Sequence, residues 1–335
     1  MKVLVTGGGG FLGSHICKQL RFRGHDVVSI ARNRYPALDQ IGVRQVLGDI
    51  SAFDPMLNAT KGCDAVIHTA ARAGIWGSLA DYSTTNIGGT VSVLGACEMN
   101  GVRKIVYTST PSVVHSGADI ENGNESLPYA AEFKAHYPAT KAAAERLILQ
   151  ANGPNLATVA LRPHLIWGPG DNHLLPRLVQ RARAGKLRFI GPSKKIDTVY
   201  IDNAVQAHMD ALDRLEVGAT CAGKAYFISQ GQPIALDEMV NKLLKAVGLP
   251  AEQRRVSIRM AKTAGFLYEQ WYRLTNNRNE PPMTRFLAEQ LSSAHWFNIG
   301  AARRDLGYQP KVTLAEGMVR VSEWWLREGR IKYPA

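Results

Sequence analysis

Tyr137 and Lys141 stand four residues apart in the string Tyr137-Pro138-Ala139-Thr140-Lys141. Proline suits the start of a helix, so the string opens one, and the spacing puts both side chains on one face. A free tyrosine, with a pKa of about 10, exchanges protons poorly at neutral pH. A neighbouring ammonium, with an oxidised nicotinamide ring, favours the phenolate and lowers that value. The pair therefore predicts a tyrosine that gives or takes a proton beside a hydride donor. Ser109 and Thr110 follow a strand candidate, Lys104–Thr108. A hydroxyl there would hydrogen-bond the substrate oxygen and hold it for proton and hydride transfer.

The hydride donor has its own signal. Val3, Leu4 and Val5 form a β-branched and apolar run, and Gly7, Gly10 and Gly13 follow it with G-x-x-G-x-x-G spacing. Phe11, Leu12, Ile16 and Leu20 then open a helix. A strand, a glycine turn and a helix in that order make a dinucleotide pocket. Gly7 permits the turn, Gly10 lets backbone N–H groups approach a pyrophosphate, and Gly13 lets the helix pack on the sheet. At the end of the second strand, where a pocket for NAD usually offers an acid to the ribose, Arg32 and Arg34 stand instead. A cation there suits a 2′-phosphate, so the expected cofactor is NADP(H), with Arg32 as its contact. Asp49 and Ile50 follow strand three, and Ala70, Ala71 and Arg72 follow strand four. Ligands of open α/β sheets bind at such strand ends. Asp49 is placed to accept from an adenine amino group, and the small alanines let a cofactor lie close.

These residues need a scaffold. Strand candidates at Val3–Val5, Asp26–Ala31, Val43–Leu47, Ala65–His68, Lys104–Thr108 and Leu156–Leu161 alternate with helical stretches Ser14–Arg23, Asp54–Thr60, Gly88–Asn100 and Thr140–Ala151. Repeated β–α alternation predicts an α/β fold: a doubly wound parallel sheet of Rossmann type, with a smaller, mainly helical C-terminal substrate lobe. The expected division gives residues 1–165 and 196–220 to the dinucleotide-binding domain, and 166–195 and 221–335 to the lobe. Leu314, Met318, Val321 and Trp325 form a core-facing stripe near the C-terminus.

The chain has 335 residues and a net charge of +12. Seven cations between Arg177 and Lys195 form either a solvated face or an attraction for an anionic ligand. No recognition motif supports nucleic-acid binding. Four scattered cysteines, and histidines without paired spacing, argue against a metal site or disulfide framework and for a reduced cytoplasm. The chain opens directly on a strand, which predicts no signal peptide, and no apolar run is long enough to span a bilayer.

Taken together, the motifs resemble the extended short-chain dehydrogenase/reductase family over nearly the whole chain. The resemblance implies that Tyr137, Lys141 and Thr110 are catalytic, with Ser109 second for the hydroxyl position. It also implies that the backbone of Arg162-Pro163-His164-Leu165-Ile166 meets the nicotinamide, with Pro163, Leu165 and Ile166 as contacts, and that Asn86 steadies the catalytic strand. Val114-His115, where sugar-nucleotide enzymes carry Tyr-Gly, makes the chain similar to the 3β-hydroxysteroid dehydrogenase branch. Ala71 to Gly77, Leu165 to Asp171, Cys221 to Phe227 and Glu280 to Gln290 resemble the bacterial 2-alkyl-3-oxoalkanoate reductases of olefin biosynthesis. Asp119–Gly123 and Leu127–Tyr129 instead resemble sterol-4-carboxylate 3-dehydrogenases. The implied activity is NADPH-dependent reduction of a long-chain, hydrophobic 2-alkyl-3-oxo acid, the alternative being oxidation of a sterol 3-hydroxyl. A homodimer and assembly with other olefin-pathway enzymes are implied partners.

One stretch remains open. Met260, Ala264, Leu267, Trp271 and Leu274 form an apolar row on an amphipathic helix. It reads as packing on the lobe core, as an apolar lid over the nicotinamide, or as a helix on a membrane surface.

Overall fold

The computed structural model describes residues 1–333. Seven strands, β1 (Lys2–Thr6), β2 (Asp26–Ala31), β3 (Arg44–Leu47), β4 (Ala65–His68), β5 (Lys104–Thr108), β6 (Ala157–Pro163) and β7 (Lys224–Ile228), form one sheet in the order β7-β6-β5-β4-β1-β2-β3. Every pairing in it is parallel. The central strands are apolar on both faces because helices cover both. Val3, Val5, Ile67, Val106 and Val159 enter one core, and Leu4, Val66, Ile105 and Ala160 enter the other. Strand order reverses between β1 and β4, and the carboxyl ends of these two strands frame a crevice.

β7 corrects the expected division. Its residues were assigned to the lobe, yet it pairs with β6 along its length, from Lys224 opposite Val159 to Ile228 opposite Pro163. Strand pairing partners are set by tertiary packing, which local composition does not reveal. The helix carrying Tyr137 runs His136–Gln150, so it starts before Thr140 and holds Pro138 third. Proline is accepted there because the first-turn N–H groups have no intrahelical partner. Asn86 lies in a π-helical turn, Ser83–Gly88, before the helix Gly89–Asn100.

The lobe is built on a four-stranded sheet drawn from distant segments, in the order Ile234–Ala235, Lys195–Ile196, His295–Phe297, Ile120–Gly123. It meets the end of β6 at a seam of buried histidines. His164 Nε2 lies 2.7 Å from His295 Nδ1, and the His115 and His295 rings stand 6.0 Å apart. Much of the Arg177–Lys195 cluster is tied to the lobe: Arg177 pairs with Glu280, Arg188 with Glu252 and Lys194 with Asp119, while Arg181 donates to the Pro282 carbonyl. Val321 and Trp325 are fully buried, with Leu314 and Met318 packed beside them. Among the described residues no helix is long and apolar enough to cross a membrane.

Candidate active site

The glycine turn leaves β1 with Gly7 at φ +70°. A Cβ at Gly7 would stand 3.0 Å from the Ala70 Cα, so the ends of β1 and β4 touch through their smallest residues. A Cβ at Gly13 would be driven into the Gly7 carbonyl oxygen, so helix and turn pack backbone on backbone. At Gly10 the nearest atom within reach would be the Gly7 oxygen at 3.3 Å, which leaves that side of the turn open. The helix Phe11–Phe22 begins there with no side-chain cap and no acid in its first turn. Its N-terminal dipole therefore faces the crevice unneutralised, and an anion fits it.

From this turn a groove of about 600 Å³ runs along the carboxyl ends of the strands. Gly7, Gly10, Phe11, Leu12, Gly13, Arg32, Asp49, Ile50, Ala70, Ala71, Arg72, Ser109, Tyr137, Lys141, Leu165 and Ile166 all line it. Arg32 and Arg34 separate clearly. Arg34 is held by Asp39 at 3.0 and 3.2 Å, whereas Arg32 is exposed on the groove rim. Asp49 uses one carboxylate oxygen to accept from the Ser51 backbone and hydroxyl, at 2.9 and 2.8 Å. These bonds, led by the backbone one, hold its carboxyl below the usual range. Leu165 reaches the groove with φ +43°, a left-handed backbone that is unusual for leucine. Two expected residues stand off the wall. Pro163 is buried in β6, opposite Ile228, and Thr110 lies just behind the wall against Tyr137.

The far end of the groove gathers the groups for proton transfer. Lys141 Nζ donates to the Thr108 carbonyl at 2.6 Å and lies 4.1 Å from the centre of the Tyr107 ring. Burial draws its pKa down to about 7, against the opposing charge of Glu145 one turn on. Glu145 is itself clamped by Arg162 and accepts from Tyr129 at 2.8 Å. Burial likewise pushes the Tyr137 phenol up to about 12, and a hydrogen bond with Thr110 works the other way. The expected lowering of the phenol by Lys141 is therefore not found. The ammonium is turned onto a carbonyl, and loss of solvation outweighs the attraction. A phenol held in its protonated form is a proton donor. Ser109 Oγ, buried on the groove wall, has no hydrogen-bond partner among the described residues.

A buried chain of polar groups, which spacing does not reveal, ties the two ends together. The Ala70 N–H donates to Thr6 Oγ1 at 3.1 Å, and Thr6 Oγ1 lies 2.7 Å from His68 Nδ1. His68 Nε2 lies 3.1 Å from Thr90 Oγ1, which donates to the Asn86 carbonyl at 2.7 Å. These directions assign the hydrogen to Nε2 of a neutral ring. Burial lowers the His68 pKa to about 3, with the Lys141 charge adding to it. The Asn86 side chain accepts from the Arg72 N–H at 2.7 Å and donates to Thr140 Oγ1 at 3.0 Å. Asn86 thus joins the segment after β4 to the first turn of the catalytic helix.

Beside Tyr137 lies a cavity of about 900 Å³, bounded by Arg72, Trp76, Phe133, His136, Tyr272 and Phe286. Arg72 lines both cavity and groove, its guanidinium 3.4 Å from Asp81 and 5.3 Å from the centre of the Tyr82 ring. Lys134 and Arg285 also line it but are paired with Glu289 and Glu269 on the same wall, so Arg273 and Arg278 supply its cations that form no ion pair among the described residues. The helix Ile258–Leu274 borders it with Glu269, Tyr272 and Arg273, not with the apolar row. Met260, Leu267, Trp271 and Leu274 are 64, 61, 63 and 83% exposed. Both the core and the lid readings of that row are thereby corrected. The helix packs through Ala261, Gly265 and Glu269 instead.

Residues 4–259 match the 3-beta hydroxysteroid dehydrogenase/isomerase family. The chain belongs to that family. It is an extended short-chain dehydrogenase/reductase, an oxidoreductase on a Rossmann sheet. It is 51% identical over 324 residues to a 2-alkyl-3-oxoalkanoate reductase of Stenotrophomonas maltophilia, covering 96% of this chain and 98% of that one. A protein of the same name from Shewanella oneidensis is 46% identical, over 95 and 84%. In fold the chain is similar to UDP-glucuronic acid 4-epimerase from Bacillus cereus, solved in complex with NAD. The TM-score is 0.76 at 23% identity, over 98 and 99% of the two chains.

Proposed function

We propose that this family member reduces the 3-keto group of a long-chain 2-alkyl-3-oxo acid to the 3-hydroxy acid, using NADPH. The observation that carries the reading is the meeting of Tyr137, Thr110, Ser109 and Lys141 where the groove adjoins a cavity whose cations outnumber its acids, with Arg72 between the two. Near-full-length likeness to two 2-alkyl-3-oxoalkanoate reductases supports the substrate. The open glycine turn and the uncapped helix fit a pyrophosphate, and Arg32 on the rim fits a 2′-phosphate. When bound, NADPH supplies the hydride for the carbonyl carbon.

The chain does the rest. Tyr137 gives its phenolic proton to the carbonyl oxygen. Thr110, bonded to that phenol, steers the oxygen toward it. Lys141, fixed on Thr108, would hold the nicotinamide ribose. Ser109 offers its unpartnered hydroxyl to the same end of the groove. Arg72, shared by groove and cavity, draws the acid carboxylate to the correct side. The enzyme works in the cytoplasm as a homodimer, alongside other olefin-pathway enzymes.

One assay tests this. The purified protein is mixed with a 2-alkyl-3-oxo acid and NADPH or NADH, and cofactor absorbance is followed, with a sterol plus NAD or NADP in parallel. NADPH consumption on the keto acid is expected. Turnover of the sterol alone would favour the family's 3β-hydroxysteroid chemistry instead.

A further inference from the structure

The glycine turn holds two glycines more than its spacing requires. Gly7, Gly10 and Gly13 serve the turn and the packing, and Gly8 and Gly9 lie between the first two. The sheet explains Gly8, since a Cβ there would stand 2.3 Å from Ser29 Oγ on β2. A side chain explains Gly9. A Cβ on it would stand 2.1 to 2.3 Å from three ring carbons of Tyr35, the hydroxyl-bearing Cζ among them. Tyr35 follows Arg32 by three residues and lines the same groove. Its ring takes the space that a side chain at position 9 would fill, and brings its hydroxyl end to the glycine turn. The attachment of this ring is fixed. Gln45 on β3 accepts from the Tyr35 N–H at 2.8 Å and donates to the Tyr35 carbonyl at 3.0 Å. The same amide nitrogen donates to Asp39 at 2.7 Å, and Asp39 also holds Arg34.

While its backbone is clamped, the Tyr35 hydroxyl forms no hydrogen bond among the described residues. Arg32 on the same rim is exposed. We infer that Tyr35 is a second specificity residue for the cofactor, its hydroxyl donating to the 2′-phosphate that Arg32 attracts. The inference rests on the proposed use of NADPH. The two groups divide the work. Arg32 supplies charge on a long, exposed stem, whereas Tyr35 supplies one donor at a fixed point. A hydrogen bond to an ionised phosphate oxygen is about twice as strong as one between neutral groups. NADH has a ribose hydroxyl at that place and no charge to assist the bond. The Tyr35 hydroxyl therefore favours NADPH over NADH. Gly9 belongs to the same device, because any side chain there pushes the ring off the turn.

Calorimetric titration of the full-length protein with adenosine 2′,5′-bisphosphate and with ADP reads this end of the groove apart from the chemistry. Wild type should prefer the 2′,5′-bisphosphate by about a hundredfold, with both Arg32 and Tyr35 in place. Tyr35→Phe keeps the ring against Gly9, so its melting temperature should hold. Its preference should fall by about tenfold, through weaker binding of the 2′,5′-bisphosphate alone. Gly9→Ala should lose the preference to a similar degree by displacing the ring. Gly9→Ala combined with Tyr35→Phe should lose no more than either alone. Should Gly9→Ala lower the melting temperature, Tyr35→Phe decides by itself. An unchanged preference in Tyr35→Phe would overturn the inference. So would losses that multiply in the double variant, or tighter binding once the hydroxyl is gone. A wild type that binds both compounds alike would instead remove the 2′-phosphate site itself, and with it the NADPH reading.

Discussion

Tyr137 and Arg32 carry opposite kinds of information. Tyr137 acts through one atom, so Tyr137→Phe should leave cofactor affinity and melting temperature near wild type and lower kcat by about 10²-fold or more. Near wild-type turnover would discard the phenol as proton donor. Arg32 acts through charge at a rim where it forms no ion pair among the described residues, although Asp49 across the groove feels that charge, while Arg34 is already taken by Asp39. Arg32→Asp should therefore shift the ratio of kcat/KM for NADPH over NADH toward NADH by at least tenfold, with Arg34→Asp moving it far less. Equal effects would remove the assignment. At this scale the sequence was readable, since four-residue spacing alone placed Tyr137 and Lys141 on one wall. It could not show the Lys141 ammonium turned onto the Thr108 carbonyl, because that depends on where β5 ends in space.

The glycine turn divides into positions that the fold needs and one that a ligand needs. Gly13→Ala pushes a methyl into the Gly7 carbonyl, backbone against backbone, and should destabilise the protein by about 1–3 kcal/mol. Gly10→Ala meets little protein, so its melting temperature should hold while cofactor affinity falls severalfold or more. Thermal melts with and without NADPH separate the two, and equal melting temperatures in both variants would refute the distinction. Strands β1, β2 and β4 to β6 were legible because both faces are largely apolar and glycines or prolines punctuate them, whereas edge strand β3 carries Arg44 and Gln45 and was read from its place in the β–α alternation. The direction of the helix Ile258–Leu274 was not. Its periodicity announced two unlike faces, but only contact with Thr284 and Arg285 decides which face is inward, and the small face won. The His68–Thr90–Asn86 chain was equally hidden, because its members are neighbours only across strands.

Over the whole molecule, the histidine seam makes the join between sheet and lobe sensitive to acid. Burial lowers His115 to about 4 and holds His164 and His295 below their ordinary value. Unfolded imidazoles take up protons near pH 6.5. Between that pH and about 4 the unfolded chain binds more protons, so stability falls as pH falls, by up to about 1.4 kcal/mol per pH unit for each imidazole. Buried His68 and His208 add to the same slope. His115→Gln should remove one imidazole's share, read as a shallower loss of urea midpoint from pH 7 to 5. An unchanged slope would show that His115 titrates alike folded and unfolded.

The seam also sets an order of assembly. His295–Phe297 sits between Lys195–Ile196 and Ile120–Gly123 in the small sheet, so those two segments do not pair until it arrives. A chain emerging from the ribosome has every wall of the dinucleotide groove by Leu174, but the walls of the cavity only by Glu289. The growing protein thus possesses the groove proposed for its coenzyme long before the cavity proposed for what the coenzyme would reduce.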